Sequence, residues 1–280
     1  MAKKIAIANH KGGVAKTATS INLSAGLARE GYRVLAIDVD PQASLTKGFG
    51  WENTSELSRT LYHAMYDFLE GRDPRIEETI LHHTEGVDII PNCILCSKME
   101  KILFTAYMRE KVLLKTILPI VDNYDYIIID CPPSILHLTT NALVAADSVI
   151  IPCQPEDFSV DGLNQFIESV AEVKRNVNFD LQIDGILITR IDYRYKHHNE
   201  TAAQIRQDYA NNGGLYVFKN EIPQRAGLLS AVEAGKSVFV VDPRGDETEA
   251  YRGLVKEVIG NGNQITRGNV SAGTIRSSHI

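Results

Sequence analysis

The sequence predicts an α/β fold: a single doubly wound, mostly parallel sheet with helices on both faces. Short β-branched runs recur along the chain and are continuous rather than alternating, as strands buried on both faces tend to be. Stretches of helical length separate them, which is the rhythm of βαβ units. A glycine-containing loop, residues 10–17, joins the first strand to the first helix. The expected strands are residues 5–8, 34–37, 87–90, 126–129, 148–151, 185–189 and 216–218. Helices are expected over 17–30, 99–121, 139–145 and 161–174, with extra helical turns around 57–69 and a last helix near 251–259.

Composition bounds the answer. With 280 residues, 44% hydrophobic and 23% charged, the chain has an ordinary globular make-up, which excludes disorder, collagen and coiled coil for the whole chain. One domain is expected over residues 1–260, and residues 261–280, rich in Gly, Asn, Ser and Thr, are expected to be a flexible tail. The apolar stretch after Lys4 stops at Asn9, too short for a signal peptide, and no run approaches the roughly 18 apolar residues of a membrane helix. The four cysteines, Cys93, Cys96, Cys131 and Cys153, are too few for a disulfide scaffold and fit a reducing, cytoplasmic setting. Lysine and arginine total 29 against 35 acidic residues, a net charge of −6, which argues against a constitutively basic nucleic-acid binder but leaves room for a local basic face.

The strongest chemical signal is His10-Lys11-Gly12-Gly13-Val14-Ala15-Lys16-Thr17. Glycines between a strand and a helix let successive backbone N–H groups converge, and the helix adds the positive end of its dipole, so a polyphosphate is favoured there. Lys16 is placed to reach the β- and γ-phosphates, and the Thr17 hydroxyl to ligate Mg²⁺. The usual GxxxxGK[ST] pattern fails at both glycine positions, which hold His10 and Ala15, and a second lysine, Lys11, precedes Lys16.

The second strand ends in Asp38-Val39-Asp40-Pro41-Gln42, where alternation puts Asp38 and Asp40 on one face. Ligands of open parallel sheets sit beyond the carboxyl ends of strands, so both carboxylates are expected to face the phosphate loop. Asp130 follows an apolar strand and precedes Cys131-Pro132-Pro133. A carboxylate there is costly to bury unless paired or bound to a metal, which fits a magnesium-linked role.

Taken in order, KGGVAKT, AIDVDPQASLT, YDYIIIDCPPS, IPCQPEDFSVDGL and NEIPQ resemble the ParA/Soj family of partition ATPases. These are deviant Walker A P-loop NTPases, a group that also holds MinD and the nitrogenase iron protein. The resemblance implies that Lys11 crosses a homodimer interface to the partner's nucleotide. It implies that Gly12, Gly13, Val14, Ala15, Lys16, Thr17 and Ala18 hold ATP and that Pro223 lies near the adenine. Thr17, Asp38 and Asp130 would organise Mg²⁺, and Asp40 would position the attacking water.

The same resemblance implies slow ATP hydrolysis, stimulated by a centromere-binding ParB-type activator and by DNA. It further implies nonspecific DNA binding by the dimer, no membrane association, and a cytoplasmic protein that gathers on the nucleoid when ATP is bound. Lys219, Arg225, Lys236 and Arg244 are the candidate DNA contacts, with Arg190, Arg194 and Lys196 also available. Ala15 departs from the family's more frequent glycine, which matters if the loop needs a positive φ there. No helix-turn-helix domain precedes the first strand, so autorepression through one is not expected.

Three rivals come from other classes. A MinD-like membrane cycle needs a C-terminal amphipathic helix that residues 261–280 lack. A cluster-bridging redox protein needs cysteines that the lone Cys93–Cys96 pair does not supply. A ligase of the dethiobiotin synthetase type would use ATP to activate a small carboxylate. The pairs His82-His83 and His197-His198 are read as surface, because adjacent side chains diverge.

Overall fold

The computed structural model describes residues 2–156, 159–225 and 227–265. Eight strands form one sheet in the order β3-β4-β2-β5-β1-β6-β7-β8. They are β1 (Lys3–Ile7), β2 (Val34–Asp38), β3 (Leu81–His82), β4 (Val87–Ile90), β5 (Tyr126–Asp130), β6 (Ser148–Cys153), β7 (Gln182–Ile191) and β8 (Ile222–Pro223). Every pairing is parallel except β3 with β4.

Eleven helices cover the sheet among the described residues: α1 (Lys16–Arg29), α2 (Ser44–Gly48), α3 (Leu61–Leu69), α4 (Met99–Thr105), α5 (Val112–Ile117) and α6 (His137–Ala145), then α7 (Ser159–Asn176), α8 (Lys196–Ile205), α9 (Gly227–Glu233), α10 (Val238–Val241) and α11 (Asp246–Ile265). The continuous apolar runs are explained by two cores, one on each face. Ile5, Ile7, Val34, Ala36 and Ile128 pack with Leu23 and Leu27 of α1 and Leu254 and Val255 of α11. The alternate residues Ala6, Ala8, Leu35, Ile37, Ile127 and Ile129 pack with Met65 of α3, Leu113 of α5, Leu143 of α6 and Phe166 of α7. Each large aliphatic side chain so buried contributes roughly 1.5–3 kcal/mol, so neither face can be polar without loss of the fold.

The strand order also places the chemistry. β2, β5 and β1 are immediate neighbours and parallel, so the segments after Asp38, Asp130 and Ile7 emerge side by side.

Several expectations are corrected. Residues 99–121 form α4, α5 and short 3-10 turns rather than one helix. The helix ends at Ala106, whose backbone turns extended, and Met108 takes a left-handed φ of 51°. The amide of Asn141 in α6 stabilises the break, donating to Arg109 O at 2.8 Å and accepting from Leu113 N at 3.0 Å. Residues 216–218 contribute one bridge, Val217 to Ile186, and the edge strand is β8 instead. Helix α8 and the antiparallel β3 have no counterpart in the sequence reading. Helix α11 runs to Ile265, past the boundary drawn at residue 260, and the rest of the expected tail lies outside the described residues.

Beyond β5 the start of α6 has no cap of its own. Glu100 of α4 supplies it, its carboxylate accepting from the backbone N–H groups of His137 and Leu138 at 3.0 Å each. Glu100→Ala should therefore lower unfolding stability by about 1–2 kcal/mol, read as a lower urea midpoint with an unchanged slope. An unchanged midpoint would show that this carboxylate stabilises nothing.

Candidate nucleotide site

The loop between β1 and α1 is held open by its backbone conformation. Gly13 has φ of +76° and Ala15, the residue before α1, sits in the left-handed region at φ 60° and ψ 33°. A positive φ is thus required at the position where a glycine was the alternative, and alanine accepts a cost of about 1–2 kcal/mol there. The His10 imidazole occupies space left by Gly162 of α7, where an added Cβ would come within 3.3 Å of Nε2. Burial, and then the charge of Lys16, lowers the His10 pKa.

Lys16 is 7% exposed, and its ammonium donates to Lys11 O at 2.9 Å. Desolvation lowers its pKa while the neighbouring Asp130 opposes that shift. Asp130 lies on the α1 face of β5 by the same alternation that buries Ile128 there. It accepts from Thr17 Oγ1 at 2.8 Å and from Ser20 Oγ at 2.7 Å. Asp38, on the matching face of β2, accepts from Thr46 N and Oγ1 of α2 at 2.8 and 2.7 Å and from Asp40 N at 3.1 Å. Asp40 is 9% exposed and accepts from Gln42 N at 2.8 Å, while Val39 packs on the opposite face.

Both strand-end carboxyls have lost their water. Burial pushes the pKa of Asp38 up to about 8, and the charge of Asp130 adds to it. Burial likewise pushes Asp130 up to about 6, against the pull of the Ser20 and Thr17 hydroxyls and the Lys16 charge. Lys11 stands at the rim, 38% exposed, with its ammonium 3.0 Å from Glu156. Ala18 lies in the first turns of α1 and is partly buried.

Pro223 is buried in β8 opposite Ile191. Next to it, Asp192, Arg194, Gln224 and Arg225 line an open cleft of about 530 Å³, reached two residues beyond Arg190. Lys219, Arg225, Lys236 and Arg244 are all exposed, on four separate loops. Arg225 lies 3.5 Å from Asp246, Arg194 is held by Asp192 at 2.6 Å, and Lys196 by Glu200 at 3.2 Å.

The sequence reading missed Ser20 and Thr46 as partners of the strand-end carboxyls, Glu156 as the partner of Lys11, and Thr189, whose hydroxyl donates to Val14 O, and it offered Arg190 only as a surface cation. Ser20 was legible in principle, because it lies one helical turn after Lys16, on the strand-facing side of α1. The others are long-range partners that no local spacing marks. His83 is corrected from plain surface: its ring packs between Phe49 and Trp51, 5.0 and 5.8 Å away, and Nε2 meets Gly235 O at 3.2 Å. The four cysteines are buried and free, and burial raises the thiols of Cys96 and Cys153 to about 12.

A glycine loop after the first strand, a buried lysine, and a hydroxyl–carboxylate pair at the end of a neighbouring parallel strand define a P-loop NTPase. A family model described as an AAA domain matches residues 2–183. The sporulation initiation inhibitor protein Soj of Bacillus subtilis is 39% identical over 262 residues, covering 94% of this chain and 100% of Soj. Among solved structures, cobyrinic acid a,c-diamide synthase from Mycobacterium smegmatis with bound ATP analog and magnesium superposes with a TM-score of 0.80 at 29% identity, covering 94% of this chain and 96% of that one. A putative plasmid partition protein from Borrelia burgdorferi bound to AMPPNP gives a TM-score of 0.75 at 26% identity, covering 93% of this chain and 99% of that one. The chain belongs to the ParA/Soj family of P-loop ATPases. No helix among the described residues is long and apolar enough to cross a membrane.

The two raised carboxyls have a consequence for stability. Their ordinary pKa is 3.8, so above that pH the unfolded chain releases protons that the folded chain still holds. Stability without a bound cation should therefore fall as pH rises from about 4 to 8. Asp38→Asn removes the larger of the two titrations and should flatten that decline. Thermal midpoints across the range check it, and parallel slopes for the two proteins would refute it.

Proposed function

We propose that this chain is a Mg²⁺-dependent ATPase that dimerises around two ATP molecules, binds DNA without sequence preference as that dimer, and drives partition of plasmid or chromosomal DNA. The observation that carries the reading is the convergence of buried Lys16 with the Thr17–Asp130 pair at the mouth of the glycine loop. A hydroxyl with two buried carboxylates is an oxygen donor set of the kind magnesium takes. The charge of Asp130 raises the pKa of Asp38, and that of Asp40 raises both, a repulsion that a divalent cation would relieve. Thr17 and Asp130 would hold the ion and Asp38 would support its outer shell. Bound there, it neutralises charge on the β- and γ-phosphate oxygens.

The protein's own groups do the rest. Gly12, Gly13, Val14, Ala15 and Ala18 present backbone to the phosphates, Lys16 reaches the β- and γ-oxygens, and Asp40 orients the attacking water. Pro223, with Gln224 beside it, borders the base. Lys11 is the cation offered to the partner's nucleotide. Its pairing with Glu156 is half-exposed and worth only about 0–1 kcal/mol, so exchange for a phosphate is cheap. The second lysine reaches each active centre only when two loaded copies meet, which makes ATP the link between them and hydrolysis the release.

Lys219, Arg225, Lys236 and Arg244 supply phosphate contacts that dimerisation doubles. Kinship with Soj and likeness to a plasmid partition protein support the partition role, with a ParB-type activator as partner. The likeness to a diamide synthase favours one second reading, ATP-driven activation of a small-molecule carboxylate.

Lys16→Ala should weaken nucleotide affinity by about 10- to 100-fold, the worth of a charged hydrogen bond, and abolish ATP-dependent dimerisation. Lys11→Ala should leave monomer affinity near wild type yet reduce the dimer fraction seen by light scattering. Wild-type dimerisation of the Lys11 variant would contradict a shared site.

A titration of DNA against protein with ATP, ADP or no nucleotide, at two salt concentrations, separates the two readings. Binding only with ATP, weakening as salt rises, is expected. Turnover that needs a metabolite and ignores DNA would establish the synthase reading instead.

A further inference from the structure

We infer that Arg190 is a positioning residue for the phosphate loop, held by a strained bulge at the end of β7 so that its guanidinium fixes the Gly13 carbonyl. The inference rests on the nucleotide reading above and gives Arg190, offered by the sequence only as a cation available to DNA, a role at the phosphate loop.

The bulge is visible in the packing. Along β7, Ile186 and Ile188 point into one core and Leu187 into the other, so strict alternation would send residue 190 into the first core. Ile191 takes that place instead. Pairing with β8 shifts register between Thr189 and Ile191, and Arg190 takes a left-handed φ of 53°. A bulky residue there costs stability and persists only where surrounding structure dictates it. Bulges re-aim side chains, and this one turns Arg190 onto the loop, where Nη1 donates to Gly13 O at 2.9 Å. The preceding residue makes a parallel contact: buried Thr189 donates from Oγ1 to Val14 O at 3.0 Å.

A peptide unit is planar and trans, so its C=O and the next N–H point in opposite directions. Arg190 on Gly13 O therefore orients Val14 N–H, and Thr189 on Val14 O orients Ala15 N–H. Lys16 on Lys11 O does the same for Gly12 N–H. The two consecutive tethers from β7, on Gly13 O and Val14 O, preset two successive N–H donors of the loop, the kind of concavity that suits an anion. Arg190 also links the loop to the cleft at Asp192 and Gln224, because Gln224 N donates to Ile191 O at 2.8 Å.

Arg190→Met, Arg190→Lys and Arg190→Gly are compared with wild type by titration with a fluorescent ATP analogue, by steady-state ATPase kinetics and by thermal unfolding without nucleotide. Arg190→Met should raise Kd and KM about tenfold with kcat changed less than about twofold, the loss of one charged hydrogen bond. Arg190→Lys, which still donates from a cation, should recover part of the affinity. Arg190→Gly should bind nucleotide as poorly as the methionine variant while its Tm rises, because glycine accepts the backbone without strain. Affinity lost while stability is gained is a signature that a merely structural role would not give. A wild-type KM in Arg190→Met, or a fall in kcat with KM unchanged, would overturn the inference. Wild type and Lys16→Ala serve as controls: no nucleotide binding by wild type would sink the ATPase reading as well, whereas normal binding by wild type and by Arg190→Met alike would sink only the positioning role.

Discussion

Two carboxylates without water, at the ends of adjacent parallel strands, are the constraint around which the nucleotide face is organised. Asp38 and Asp130 are fully buried, side by side in register on β2 and β5. Burying either one is unfavourable unless every oxygen finds a partner. The partners come from the first turns of the helices that follow β1 and β2: Thr17 and Ser20 from α1, Thr46 from α2. Satisfying the carboxylates therefore fixes how two helices sit on the sheet. The same demand leaves Lys16 buried beside them, with its charge balanced across the face rather than by solvent.

The phosphate loop shows how a rigid sheet carries local strain. Ala15, Ala43 and Arg190, three residues of the nucleotide side that have a Cβ, take left-handed conformations. Ala15 and Ala43 each precede a helix, α1 and α2. The strain is tolerated because the strands behind these turns are buried on both faces and cannot relax to relieve it.

Periodicity made the architecture legible in the sequence. Largely apolar runs gave β1, β2, β4, β5 and β6 within a residue or two and the centre of β7, which begins three residues earlier at Gln182, because two-sided burial leaves few polar residues in the middle of a strand. Asp38, Asp40 and Asp130 stood out because they sit at the ends of such runs, and Lys16 and Thr17 because they close a glycine-containing loop ahead of a helix. What failed was non-local. The break in 99–121 depends on Asn141, more than 30 residues from its Arg109 partner, and on a left-handed Met108 that no composition signals. The two-residue strands β3 and β8 are too short for any alternation. Arg190 reads from sequence as a surface cation after a strand, and only the register slip aims it at the phosphate loop. The proposed DNA contacts are least legible for a related reason: an exposed lysine looks the same in a sequence whatever it meets.

The sheet is closed off at both margins by strands of only two residues, β3 and β8, and β8 ends in Pro223, which has no amide hydrogen to offer. Neighbouring copies crowded on a common scaffold therefore meet almost no open hydrogen-bonding ladder to extend. Fibre-like stacking through the margins is blocked at its first step.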